Sequence, residues 1–251
     1  MEHEDKAPLL SHLIELRQRM MTSVFAILIA FLACYGFAEE IFSFLVKPLR
    51  EVIGPDAKMI YTGLHEAFFT YLKVSFFAGL FLALPVVFSQ FWRFVAPGLY
   101  QHEKKAFLPF LIITPLLFFL GGSLAYTFVF PLAFKFFLGF TSPTIEALPT
   151  LKEYLSLVIK LIFAFGLAFE LPVALVLLIK AQVTSVSSLV AKRKYNIVLA
   201  FVAAAILTPP DPFTQIFLAI PIMAMYEISI LIGRNIEATR AKQEATVDKE
   251  L

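Results

Sequence analysis

The sequence predicts an all-α membrane protein with six transmembrane helices. Hydrophobic residues make up 59% of its 251 residues, Phe alone occurs 29 times, and the mean hydropathy is +0.81. Charged residues account for 16%, whereas a soluble domain of ordinary composition has about 25%. Apolar runs of about 20 residues, the length that crosses a bilayer as a helix, recur along the whole chain. These three observations argue against a soluble globular domain.

The predicted spans are separated by turn-rich or charged segments. They cover residues 20–38, 68–91, 107–134, 154–179, 195–207 and 213–232. The fifth rises only about 20 Å, against about 30 Å of hydrocarbon, and it joins the sixth through the short segment TPPDPF. We therefore expect short fifth and sixth helices that form a hairpin, within a bundle that is concave on one side.

The orientation follows from the Lys and Arg residues near the span ends, which favour the cytoplasmic side. The poorer side has only Lys47, Arg50, Lys58, Lys135 and Lys152. The richer side is predicted to be cytoplasmic, and an even number of spans places both termini there. The predicted organisation is a cytoplasmic amphipathic segment (1–19), a transmembrane domain (20–232) and a cytoplasmic polar tail (233–251), in a bacterial inner membrane.

Several function classes lack their signatures in this sequence. A net charge of +2 provides no basic surface for nucleic acid. The lone Cys34 and the scattered His residues allow neither an internal disulfide nor a metal site of known spacing. No HExxH, GxSxG or P-loop motif is present. We therefore expect no enzyme activity, no metal and no cofactor. Without a nucleotide site, any energy that the protein uses is expected to come from a partner protein or from the membrane potential.

An acidic residue interrupts the apolar run AFGLAFELPVALVLL of the fourth predicted span. Glu170 is too far from either membrane surface for its short side chain to reach water. One interpretation is a structural polar patch, since Pro172 leaves the Ala168 carbonyl without its helical donor. The other is a site for a partner helix, a substrate or a proton. A proton-coupled small-solute transporter with Glu170 as relay is the alternative function.

Two further acids lie at the predicted cytoplasmic surface. Apolar residues from Leu9 to Met20 recur at helical spacing, which predicts an amphipathic surface helix, with Glu15 on its polar face. Glu15 either pairs with Arg19 four residues later or binds a cationic ligand. Glu103, before the third span, either begins a helix or belongs to a ligand site. Two acids on one surface suit the binding of guanidinium groups.

The motifs of this chain resemble those of a known family across nearly its whole length outside the polar tail. They read, in order, PLLSHLIELRQR, FVAPGLYQHEKK, YTFVFPLAF, AFGLAFELPV, LTPPDPFTQ and AIPIMAMYEISI. They are similar to the TatC family, the polytopic subunit of the twin-arginine protein translocase. Several long motifs in the same order make the resemblance specific.

The resemblance implies a glove-like, concave bundle of six helices with both termini in the cytoplasm. It implies a receptor for the twin-arginine signal peptides of folded precursor proteins, in an oligomeric complex with TatA- and TatB-type single-span proteins. Export by such a complex is driven by the proton-motive force.

The resemblance also implies roles for individual residues. Signal-peptide binding is assigned to Glu15, Glu103, Phe94 and Arg17. Contacts with partner helices inside the membrane are assigned to Glu170 and Gln215. Structural or functional positions in the periplasmic loops are Pro48 and Asp211.

Overall fold

The computed structural model describes residues 6–54, 58–99, 108–142, 147–208 and 211–250, which are almost entirely helical. The α-helices, in chain order, are α1 (Lys6–Tyr35), α2 (Ala38–Ile53), α3 (Glu66–Leu99), α4 (Leu108–Leu124), α5 (Phe130–Leu138), α6 (Leu151–Phe169), α7 (Leu171–Lys180), α8 (Val186–Ala191), α9 (Arg193–Leu207) and α10 (Pro212–Glu250). The prediction of an all-α membrane protein is confirmed.

The N-terminal amphipathic segment and the first predicted span form one continuous helix, α1. No Pro or Gly occurs between Leu9 and Tyr35, so nothing in the sequence interrupts the helical hydrogen bonds. Gly36 follows, and a second helix begins at Ala38. This helix, α2, was not predicted; it is amphipathic, it buries Val46 and Leu49, and Phe42 on it contacts Tyr71 of α3.

The third predicted span consists of α4, a π-helical turn and α5. In the turn, Ala125–Val129, the helix widens, and the N–H of Phe130 donates to the Ala125 carbonyl five residues earlier. Pro131 follows directly and has no N–H to continue an ordinary α-helical pattern. The proline is therefore the physical reason for the change of register in this span.

The fourth predicted span is interrupted at Glu170, which lies between α6 and α7. Pro172 is in the first turn of α7, where a residue without an N–H is tolerated. The interruption therefore coincides with the proline that leaves the Ala168 carbonyl without its helical donor. A short connection then leads to α8, whose first turn is capped by the Ser185 hydroxyl.

Five described helical segments are long and apolar enough to cross a membrane: Ser11–Tyr35, Glu66–Phe94, Pro109–Leu138, Leu151–Lys180 and Pro212–Lys242. The predicted fifth span corresponds to α9, which is short, as expected, with 15 residues. The six-span count and the orientation of the termini stay predictions.

The sixth helix is longer than predicted, because α10 runs for 39 residues. Its apolar part matches the predicted 213–232, but the helix does not end there. Residues 233–250 contain no Pro and are rich in Ala, Glu, Lys and Arg, which are strong helix formers. The polar tail therefore continues α10 through Glu250, and only the apolar part of the helix is short.

The chain divides into two compact units. The first comprises Met1–Leu116 with Ala147–Ser156. Within it, α1 packs against α3 where Gly79 meets the backbone of Phe31; a Cβ on Gly79 would lie 2.5 Å from the Phe31 nitrogen. A glycine is therefore required for this close helix crossing.

The second unit comprises Leu117–Glu146 with Leu157–Leu251. Here α4 and α6 approach each other closely, since a Cβ on Gly121 would lie 2.4 Å from the Phe165 carbonyl oxygen. On the other helix, Gly166 leaves room for the ring of Phe118. Large side chains without solvent exposure, such as Phe130 and Phe165, fill the interior of this unit.

Candidate functional site

Glu15 lies on α1, and its side chain is 35% exposed. Arg19, one helical turn later, donates to it through Nε at 2.9 Å and through Nη2 at 2.5 Å. Both bonds reach the same carboxylate oxygen, Oε1. No residue that the structure describes donates to Oε2, so half of the carboxylate is available to a further donor.

Phe94 lies at the same end of the α1–α3 pair as Glu15. Phe31 of α1 contacts Phe76 of α3, with ring centroids 6.4 Å apart, next to the crossing at Gly79. Phe42, shortly after the end of α1, contacts Tyr71 near the start of α3, so the two helices run in opposite directions. At about 1.5 Å per residue, Glu15 lies about 24 Å from the crossing along α1, and Phe94 about 22 Å along α3. The two residues therefore lie at similar heights.

Of the other two residues assigned to signal-peptide binding, Arg17 and Glu103, the structure describes only Arg17. Arg17 is on α1, two residues after Glu15, and its side chain is exposed. Glu103 lies outside the described residues.

Trp92 was not singled out from the sequence, yet it holds the helix end that presents Phe94. Its indole N–H donates to the Thr114 hydroxyl of α4 at 3.0 Å, and both side chains are buried. A buried hydrogen bond of this kind contributes about 1 kcal/mol. The signal available in the sequence was the single Trp of the chain, two residues before Phe94, because a buried indole requires an acceptor.

Glu170 lies beside the close crossing of α4 and α6 in the second unit. The backbone N–H of Phe118 lies close to its carboxyl group. The carboxyl oxygen Oε1 is buried and has no hydrogen-bond partner among the described residues. The interpretation as a fully satisfied polar patch at a proline kink therefore does not account for this oxygen, since a buried acceptor without a donor is costly.

Asp211 and Gln215 have intramolecular partners at the start of α10. Asp211 precedes the helix and accepts from the backbone N–H of Thr214 at 2.8 Å and from its hydroxyl, as an N-cap. Pro212 at the first helical position completes the signal for a helix start. The Gln215 amide donates to the Phe201 carbonyl of α9 at 3.2 Å, which joins the two helices of the predicted hairpin.

Pro48 is buried within α2. It cannot donate to the Phe44 carbonyl, one turn earlier. The adjacent Leu45 carbonyl accepts from the hydroxyl of Tyr154, on α6 in the same unit, at 2.5 Å. Pro48 therefore occupies a packing position beside a polar contact that attaches α2 to α6.

An ion pair between α9 and α10 was not predicted. Arg193 Nη2 lies 2.6 Å from Glu227 Oε2, and both side chains are partly exposed. The two residues are 34 positions apart, so no local sequence pattern indicates their contact. A partly exposed pair contributes about 0–1 kcal/mol.

The chain is similar to proteins with an established family assignment. Residues 11–221 match the family model "Sec-independent protein translocase protein (TatC)". A "Sec-independent protein translocase protein TatC" from Magnetococcus marinus is 71% identical over 247 residues, covering 98% of this chain and 91% of the relative. The protein of the same name from Escherichia coli strain K12 is 41% identical over 234 residues, covering 93% of this chain and 91% of the relative.

A solved structure is also similar in fold. The crystal structure described as "Twin Arginine Translocase Receptor- TatC" superposes with a TM-score of 0.78 at 44% identity, covering 89% of this chain and 98% of the other. Fold, sequence identity and family match agree over nearly the whole chain, and the chain belongs to the TatC family of Sec-independent protein translocase proteins.

Proposed function

We propose that this chain is the receptor subunit of a twin-arginine translocase and binds the signal peptides of folded precursor proteins. The observation that supports this best is the geometry around Glu15: no described residue donates to its Oε2, and it lies at a height similar to that of Phe94. The printed names of its relatives, a Sec-independent translocase protein and a twin-arginine translocase receptor, agree with this function.

In the proposed complex, one guanidinium of the signal peptide binds Glu15 and the other binds Glu103. A guanidinium presents parallel N–H donors that match a carboxylate, and such charge-assisted contacts are stronger than neutral ones. Arg19 competes for Glu15, but this ion pair joins partly exposed side chains, and pairs at this spacing on a helix are worth only about 0.3–0.5 kcal/mol. The peptide guanidinium therefore loses little free energy when it displaces Arg19 from the Glu15 carboxylate. Phe94 and Arg17 line the same surface.

The proposal includes TatA- and TatB-type single-span partners in an oligomeric complex and export driven by the proton-motive force. Glu170 and Gln215 are the proposed positions for contact with a partner helix in the bacterial inner membrane. At Glu170, Oε1 is available because no described residue donates to it. A hydroxyl or amide from an inserted helix is the chemistry that would satisfy this oxygen.

Binding of a twin-arginine peptide to the purified chain tests the receptor function. The peptide with Arg-Arg is compared with the same peptide carrying Lys-Lys, because an ammonium group has the same charge but lacks the planar fork. We expect the Arg-Arg form to be retained in a pull-down and the Lys-Lys form to be lost. Equal retention of both peptides would contradict recognition of guanidinium groups. It would indicate that the peptide binds through its positive charge alone.

We expect Glu170→Ala to leave the initial binding of the signal peptide within about twofold of the unchanged protein, since the substitution lies far along the chain from Glu15. Contact with a TatA- or TatB-type span should fall, measured by photo-crosslinking from a probe on the partner helix. Glu153→Ala, an exposed acid in the first turn of α6, the helix that leads to Glu170, is the matched control. Lost peptide binding with unchanged partner contacts would reverse the assignment of Glu170.

A further inference from the structure

A polar cavity of about 440 Å³ lies in the second unit, where α7 ends and α8 begins. Its wall includes Gln182, Ser185, Ser188 and Lys192, and the polar part of α10 closes it with Glu237 and Arg240. None of these residues belongs to the set assigned to signal peptides or to partner helices. The cavity is therefore a separate feature of the molecule.

The cavity lies at the boundary between apolar and polar sequence. The apolar segment Leu151–Lys180 ends at α7, and the apolar part of α10 ends at Ile232. The two helices meet at this level, since a Cβ on Gly233 would lie 2.5 Å from Ile179 Cδ1. At the rim, Val183 is 70% exposed. This is the depth at which lipid headgroups contact a membrane protein.

The tail of α10 keeps this wall in place through two hydrogen bonds. Glu237 Oε1 accepts from the backbone N–H of Val186 at 2.8 Å, at the first residue of α8. Arg240 Nη2 donates to the Lys180 carbonyl at 3.1 Å, at the last residue of α7. The carboxylate thus accepts from an N–H group at the start of α8, and the guanidinium donates to a carbonyl at the end of α7, which are the backbone groups that lack partners within a helix. The cavity is therefore bounded by anchored groups, not by free surface side chains alone.

The polar part of the lining offers several hydrogen-bond donors and has an excess of positive charge. Lys192 has no salt bridge with a residue that the structure describes. The Arg240 guanidinium has further N–H donors beside the one that reaches Lys180. The serine hydroxyls add neutral donors. Two cations face one carboxylate, that of Glu237, so an anionic ligand with several acceptor oxygens matches this lining.

We propose that this cavity binds the headgroup of an anionic glycerophospholipid such as phosphatidylglycerol. The phosphate diester accepts from Lys192 and Arg240. The headgroup hydroxyls donate to acceptors in the wall, which include the Glu237 carboxylate and the Gln182 amide oxygen. The acyl chains leave past Val183 toward the bilayer. This site is independent of the proposed binding of signal peptides, and it assigns a role to the polar continuation of α10.

Binding of short-chain lipid to the purified full chain tests the proposal. In a neutral detergent, which presents no charged surface, dioctanoyl phosphatidylglycerol is titrated and bound lipid is counted by native mass spectrometry. We expect saturable binding of one lipid per chain. Lys192→Gln should weaken it about fivefold, the equivalent of one lost basic contact near a membrane surface. Arg240→Gln should weaken it at least as much.

Lys194→Gln is the matched control, because it removes the same charge two residues away, where the ammonium lies over the Tyr195 ring and outside the cavity. It should change binding by less than about twofold. Lys192 is exposed, so its substitution does not endanger folding. Absence of saturable binding, or an equal loss with Lys194→Gln, would overturn the proposal. Equal affinity for dioctanoyl phosphatidylcholine or for inorganic phosphate would also contradict an anionic lipid site.

Discussion

Glu15→Gln is expected to weaken the binding of a twin-arginine peptide about tenfold. The amide keeps the size and helix propensity of the side chain but removes its charge and one acceptor, so the paired guanidinium contact is lost. Arg19→Gln should have the opposite effect and strengthen binding about twofold, because it removes the internal competitor for Oε1. Peptide titration followed by fluorescence anisotropy measures both changes.

The matched control for Glu15→Gln is Glu39→Gln, an exposed acid in the first turn of α2 at the other end of α1. It should leave peptide affinity unchanged within about twofold. If both substitutions reduced the affinity equally, the effect would come from net charge and not from a carboxylate site at Glu15. Weaker binding in Arg19→Gln would indicate that Arg19 positions Glu15 and does not compete for it.

Gly121→Ala is expected to lower the free energy of unfolding by about 1–3 kcal/mol, the usual cost of overpacking a core. The added Cβ would lie 2.4 Å from the Phe165 carbonyl oxygen, and a backbone atom of a neighbouring helix cannot rotate away. Thermal unfolding of the detergent-solubilised protein, followed by the loss of helical circular dichroism, measures the change.

Two further glycines make this prediction specific. In Gly166→Ala the Cβ would lie 2.6 Å from the ring of Phe118, a side chain and not a backbone atom, so the loss should be smaller. In Gly36→Ala the nearest atom is 3.5 Å away, an ordinary contact, and stability should be nearly unchanged. An equal loss in all three variants would indicate a general effect of glycine replacement and contradict the close crossing of α4 and α6.

Prolines and acidic residues were the informative signals in the sequence. Pro172 indicated a disturbed hydrogen-bond pattern next to Glu170, where the structure has an interruption, because a residue without an N–H acts on its own helix. The segment of α2 was not recognised as a helix, although Val46 and Leu49 recur at helical spacing, because its apolar face is too short to resemble a span. The sixth helix is longer than predicted, because hydropathy marks only its apolar part, and the helix formers of residues 233–250 extend it.

The candidate site was only partly predictable from the sequence. The amphipathic pattern singled out Glu15 and the resemblance added Phe94, but their similar height depends on the register of α1 against α3. That register follows from the contact of Gly79 with Phe31. Among the described residues none donates to Oε2 of Glu15 or to Oε1 of Glu170, and both facts are properties of three-dimensional packing. Glu103 stays a prediction.

The sequence by itself determined the membrane class, the approximate positions of the apolar helices and the acids that lie within or beside them. These properties depend on the transfer of each side chain between water and hydrocarbon, which is local along the chain. The tertiary structure alone decided which helices approach closely, which carboxylate oxygens lack donors, and that the polar end of α10 closes a cavity against α7 and α8. Such contacts join residues far apart in sequence, and their energies arise only when the helices pack.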